Sequence, residues 1–259
     1  MINKCFYPYN MTGKFSHMFR ACIAELFGTM VLVAAATSIK KNELAGPMAL
    51  LLSIWLVGPV SGGHVNPIVS FLMLLRRKIG FFIFIFYVLA QIIGATLGCV
   101  IGKSLLIKDN NRAGMTLINS GCSIPQAFWS ETLFAYFFSL VVLSATNDAR
   151  SESSGFYCGN PGLTPFLIAF STLIIGGIST DLAGGSVNPA RSLGPALANQ
   201  FFDNQWIYLV GPFVGAILAI ITYTFLLDET ITMRRIREYF GLVANRKEQK
   251  EDEYDEDKM

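Results

Sequence analysis

Ten residues of this chain occur twice. Ser61-Gly62-Gly63-His64-Val65-Asn66-Pro67-Ile68-Val69-Ser70 returns, altered, as Ala183-Gly184-Gly185-Ser186-Val187-Asn188-Pro189-Ala190-Arg191-Ser192. In each copy small residues precede Asn-Pro, and an apolar run follows. Asn is a favoured helix N-cap, and Pro suits the first helical position, where its missing N–H would be unpaired anyway. Each copy therefore predicts a loop that opens a helix. The apolar runs, Ile68 to Leu75 and Ser192 to Ala198, are far shorter than the roughly 20 residues that cross a bilayer. Two short helices in matching places of an apolar chain predict re-entrant half-helices that meet inside a membrane.

The composition agrees with a membrane setting. Of 259 residues 53% are hydrophobic and 15% charged, against about 25% charged in soluble domains. Six apolar spans are predicted around the half-helices: Met18 to Ile39, Ala45 to Val60, Ile79 to Ile101, Pro125 to Ala145, Leu163 to Ser179 and Trp206 to Leu227. Arg76-Arg77-Lys78 ends the first half-helix. The expected fold is an all-α membrane protein with six transmembrane helices and two re-entrant half-helices. Residues 1–16 form an amino-terminal segment, 17–228 the membrane domain and 229–259 a charged tail. The acidic end of that tail, Glu251 to Asp257, is expected to be disordered.

The repeat extends beyond the Asn-Pro boxes. Ala24-Glu25-Leu26-Phe27 answers to Ser130-Glu131-Thr132-Leu133-Phe134, and Tyr87 to Ala95 answers to Tyr208 to Ala216. The halves, about 17–105 and 124–228, each contain three spans. An odd number forces them into opposite orientations, an inverted 3+3 repeat. With both termini cytoplasmic, fourteen Lys and Arg fall inside and five outside, with Arg191 in the second half-helix. That placement follows the positive-inside rule.

Helix N-termini carry unpaired N–H groups and a partial charge of about +0.5. Two of them facing one point make it electropositive, and Asn66 and Asn188 are expected to add side-chain donors there. The irregular backbone of Gly62, Gly63, His64 and Val65, and of Gly184, Gly185, Ser186 and Val187, is tolerable at membrane depth only if buried or lining a polar cavity, where its carbonyls act as acceptors. Such a file passes small neutral hydrogen-bonding molecules, repels cations and breaks a proton wire. Arg191 is expected at a constriction, because lipid exposure of a charge is costly. Glu25 and Glu131 are expected to brace the loops by accepting backbone N–H groups.

On these residues the chain resembles the major intrinsic protein family, the aquaporins and glycerol facilitators. The likeness covers nearly all of 18–227 and rests on both boxes (Asn66-Pro67-Ile68 and Asn188-Pro189-Ala190), the Glu25 start, Gln91 to Ala95, Arg191-Ser192 and Trp206 to Gly215. It implies a homotetramer with one pore per subunit, most simply in the plasma membrane. It also implies a constriction at Gly46, Gly176, Gly185 and Arg191. Water-selective members usually have an aromatic residue and His at the first two of these positions, and glycerol facilitators usually have Trp, Gly and Phe at the first three. Three glycines fit neither pattern and predict a wide filter. Ser192 after Arg191, Ala196 and the short stretch from Ala198 to Gln205 resemble water channels, whereas Leu209 and Ile68 depart from them.

The expected function is passive passage of water and of small uncharged solutes such as glycerol or urea. The alternatives are a solute facilitator in which water is secondary, and a closed junctional or structural membrane protein. An enzyme is not expected, since the sequence has no Ser/His, paired-Asp or metal constellation and only two His. No cofactor, metal or nucleic-acid partner is expected; the lipid bilayer and the permeating molecules are the partners. Cys5, Cys22, Cys99, Cys122 and Cys158 show no metal-ligand spacing.

Overall fold

A computed structural model describes residues 15–39, 44–106, 112–147, 163–179 and 181–228. Residues 1–14 of the amino-terminal segment, Lys40 to Glu43, residues 148–162 and the charged tail lie outside the described residues. So do Cys5 and Cys158, while Cys22, Cys99 and Cys122 are free thiols.

Among the described residues the chain is helical: α1 (Phe15–Ser38), α2 (Ala45–Ser61), α3 (Pro67–Leu75), α4 (Phe81–Ser104), α5 (Ile124–Ala145), α6 (Thr164–Ser179), α7 (Pro189–Asn199) and α8 (Gln205–Thr222). A π-helical turn, Tyr223–Leu227, follows α8. Two compact units are present, divided after Ile220; apart from the end of the last span and the π turn, the features described below belong to the first.

Among the described residues four stretches are long and apolar enough to cross a membrane: Ser16–Ser38, Phe81–Ser104, Ile124–Ala145 and Gln205–Leu227. The helices α2 and α6 are shorter apolar rods of 17 and 16 residues, about 26 and 24 Å of rise. They complete the six spans. Outward positions carry large apolar side chains, among them Trp55, Phe82 and Trp129; in a bilayer these meet lipid rather than water.

The half-helices α3 and α7 start one and three residues earlier than their apolar runs suggest, at the prolines themselves. The reason is the cap. Asn66 Oδ1 accepts the N–H of Ile68 at 2.8 Å. Asn188 Oδ1 accepts those of Ala190 and Arg191 at 3.1 and 3.2 Å. A charged residue thus enters the first turn of α7, because its backbone donor is satisfied there.

Close helix contacts hold the scaffold, and they repeat in the two halves. On α4, Gly94, Gly98 and Gly102 face α1. A Cβ at Gly94 would stand 2.2 Å from the Leu26 carbonyl oxygen, and one at Gly98 would stand 2.4 Å from that of Met30. On α8, a Cβ at Gly215 would stand 2.3 Å from the Thr132 carbonyl oxygen on α5. Leu26 and Thr132 each directly follow a repeat glutamate. Small residues spaced by four let helix backbones approach within a membrane, where packing replaces the hydrophobic drive.

Candidate functional site

The loops before α3 and α7 adopt one backbone path twice. Gly62, Gly63 and Val65 have φ of 91°, 64° and 44°; Gly184, Gly185 and Val187 have 85°, 56° and 44°. The left-handed region is open to glycine but strained for a β-branched residue. Both valines are therefore held there by their surroundings.

The two buried glutamates supply much of that hold. Glu25 Oε1 accepts from the Ser61 hydroxyl (2.6 Å) and the His64 N–H (2.9 Å). Its Oε2 accepts from the Val65 N–H (2.6 Å) and Gln91 Nε2 (2.7 Å). Glu131 accepts the N–H groups of Ser186 (2.9 Å) and Val187 (3.3 Å). Each carboxylate thus terminates backbone donors that neither helix nor sheet could satisfy at this depth.

The Asn side chains tie the halves together. Asn66 Nδ2 donates to the Val187 carbonyl at 3.0 Å, and Asn188 Nδ2 donates to the Val65 carbonyl at 2.9 Å. These reciprocal bonds redirect two groups that the sequence reading assigned wholly to the path. One donor of each amide is spent on the opposite loop, and the strained valines hold their carbonyls toward the Asn pair. An amide nitrogen has two N–H groups, so each Asn retains one further donor. Pro67, Ile68, Pro189 and Ala190 are buried behind the caps.

Arg191 is oriented by a segment that the sequence reading treated as a polar loop. Its Nη1 donates to the Gly114 carbonyl at 3.2 Å and to the Thr116 hydroxyl. Thr116 meets the Ser192 hydroxyl at 2.8 Å, Ser192 meets that of Ser186, and Ser186 donates to the Asn188 carbonyl at 3.0 Å. The Asn188 carbonyl can only accept and each hydroxyl has one hydrogen to give, which fixes the direction of the whole chain. Thr116 accepts from Arg191 and donates to Ser192, Ser192 donates to Ser186, and Ser186 to Asn188. The corresponding hydroxyl in the first half, that of Ser70, contacts His64 Nδ1 and Gln91 Nε2, each at 3.0 Å.

A cavity of about 260 Å³ joins these elements. Its wall includes Asn66, Asn188, Arg191, Gly46 and Gly176, with Gly184, Gly185, Ser186 and Val187 along one side. A Cβ built on Gly46 or Gly176 meets nothing within 4 Å, so both positions leave open space where a side chain would project. Gly185 behaves differently. A Cβ there would come 2.1 Å from the Ser179 hydroxyl, so it is a backbone element of the wall rather than a vacated side-chain position. Gly62, Gly63, His64, Val65, Glu25, Glu131 and Ile68 lie outside this cavity's wall.

Residues 13–223 match the Major intrinsic protein family. The chain belongs to that family. It is an integral, multi-pass membrane protein, a channel for water or small solutes and not an enzyme. It is 32% identical over 221 residues to the lens fiber major intrinsic protein of Lithobates pipiens, covering 80% of this chain and 81% of the relative. It is 31% identical over 222 residues to aquaporin-5 of Rattus norvegicus, covering 81% of each. Its fold is similar to the X-ray structure of the aquaglyceroporin from Plasmodium falciparum, with a TM-score of 0.72 and 23% identity over 82% of this chain and 97% of that one.

Sequence reasoning missed Thr116 and Gly114 as partners of Arg191, and Leu32, Leu50, Phe138 and Thr172 as wall residues of this family member. One signal was available for two of them. Leu32 and Phe138 each lie seven residues after a repeat glutamate, which is the same helix face two turns on.

Proposed function

We propose that this channel passes water together with small uncharged solutes of the size of urea and glycerol, and refuses ions and protons at Asn66, Asn188 and Arg191. The observation that carries the reading is the cavity in which these three residues meet, with open space at Gly46 and Gly176. The remaining amide donors, the caps of two helix N-termini and a guanidinium make that space electropositive, unfavourable for cations. A permeant that accepts from both Asn side chains cannot at that moment accept a proton from its neighbour in the file.

The glycines support solute passage beside water. An aromatic ring and an imidazole at Gly46 and Gly176 would fill the space their absent side chains leave; without them the wall there is backbone and aliphatic carbon. The channel is proposed to assemble as a homotetramer in the plasma membrane, with both termini in the cytoplasm. The exposed apolar faces of α1, α2, α4 and α5 are the surfaces available to lipid and neighbouring subunits.

Stopped-flow shrinkage of proteoliposomes under a sucrose gradient tests the reading. Water flux above that of empty liposomes, without Na⁺ or proton conductance, is expected. Shrinkage at the empty-liposome rate would instead favour a closed junctional protein.

A further inference from the structure

Within the cavity, the side chains near the mouth differ from those at the inner end. Gly46, Gly176 and Thr172 are half-buried, and Ile39 is exposed. The mouth lies where α1 ends and α2 begins. Counted from the mouth ends of their helices, Leu50, Leu32 and Thr172 lie five to seven residues deep, about 8–10 Å of rise. Phe138 lies fourteen residues from the first residue of α5, about 21 Å of rise. That end of α5 is on the mouth side, because the segment before it bonds to the loop beside the cavity: Asn119 N–H to the Leu182 carbonyl at 2.8 Å, and Thr116 to Arg191. Glu131 reaches the loop before α7, and Phe138 stands seven residues further from the mouth end of α5, about two turns. Among the described residues it is also the only aromatic side chain of this wall. It lines the same cavity as Asn66 and Asn188, and it is 1% exposed.

We propose that Phe138 sets the upper size limit for neutral solutes. The inference rests on the channel reading above and deepens it. In a filter with glycine at Gly46 and Gly176 the outer wall does not reach inward, so discrimination by size passes to the next narrow place. There a rigid ring shares the wall with two Asn whose amides are tied across the loops at 3.0 and 2.9 Å and cannot retreat. A phenyl ring has no rotamer that shortens it, whereas Leu32, its counterpart seven residues after Glu25, is flexible and smaller. The solutes admitted are those that hydrogen-bond the Asn pair while remaining slim enough to clear the ring: water, urea and a three-carbon polyol. Four- and five-carbon polyols are retarded.

The test is swelling of proteoliposomes in a graded series of urea, glycerol, erythritol and ribitol, with water flux measured on the same preparations. Wild type is compared with Phe138→Leu and Phe138→Ala. Phe134→Leu, a buried residue one turn away that is outside the cavity wall, controls for packing. The ratio of erythritol and ribitol flux to water flux is expected to rise about tenfold or more in Phe138→Leu, a barrier change of about 1.4 kcal/mol, with Phe134→Leu like wild type. If Phe138→Ala does not fold, Phe138→Leu carries the comparison alone. An unmoved cut-off in Phe138→Leu, or an equal shift in Phe134→Leu, overturns the proposal while leaving the channel reading intact. Absence of water and urea flux in wild type removes the channel reading and this inference with it.

Discussion

Glu25 and Glu131 are both fully buried, yet they are surrounded differently. Glu25 accepts from two side chains as well as from His64 and Val65, whereas Glu131 accepts from backbone alone, Ser186 and Val187 answering to His64 and Val65. The positions matching Ser61 and Gln91 are Ala183 and Pro212, which have no side-chain donors to offer. A buried donor left without its acceptor costs about 1–3 kcal/mol. Glu25→Ala is therefore expected to lower the thermal unfolding temperature in detergent further than Glu131→Ala, read by intrinsic fluorescence; equal losses would contradict the difference in bracing. At Arg191 the expectation concerns selectivity. Thr116→Val keeps the side-chain shape, removes one acceptor from the guanidinium and breaks the hydroxyl chain to Asn188. Folded yield should match wild type while solute flux changes, by swelling assay; unchanged flux would mean that the Gly114 carbonyl suffices to orient Arg191. The Asn residues and Arg191 were legible because the motif around them is duplicated and a charge stands inside an apolar run. Thr116 was not, since a polar loop has no period to mark which hydroxyl turns inward.

Among the elements, the glycine contacts between α1 and α4 and between α5 and α8 set how closely the helices approach. Gly94→Val and Gly215→Val each place carbon where a carbonyl oxygen already stands, at 2.2 and 2.3 Å from the Cβ. Both variants are expected to lose monodisperse protein in size-exclusion chromatography. A normal elution profile for either would show that the helix pair can separate without loss of the fold. Span positions were readable from apolar runs bounded by charges and turns. The half-helix starts were legible from Asn as cap and Pro as first residue; the apolar run alone places the second too late, because the Asn188 cap draws Arg191 into the first turn. The π turn at Tyr223–Leu227 was also illegible. It is defined by a hydrogen bond such as Asp228 N–H to the Tyr223 carbonyl, 2.8 Å, and an apolar run reads the same whether it bonds at four residues or five.

For the whole channel, the inverted repeat makes one site from two halves. Neither loop is complete alone, since Asn66 is bonded to Val187 and Asn188 to Val65. This closure was legible in outline from the order of spans and boxes. Its currency was not: reciprocal amide-to-carbonyl bonds depend on both valines taking positive φ, which no propensity for valine suggests. The central claim is that glycine at Gly46 and Gly176 leaves the entrance open to small solutes as well as water. The direct measurement is the glycerol-to-water permeability ratio of the purified protein in liposomes, beside that of the double variant Gly46→Phe, Gly176→His. Wild type is predicted to pass both molecules, and the double variant to retain water while its glycerol flux falls to that of empty liposomes. Exclusion of glycerol by wild type, or equal glycerol flux in the two proteins, would contradict it.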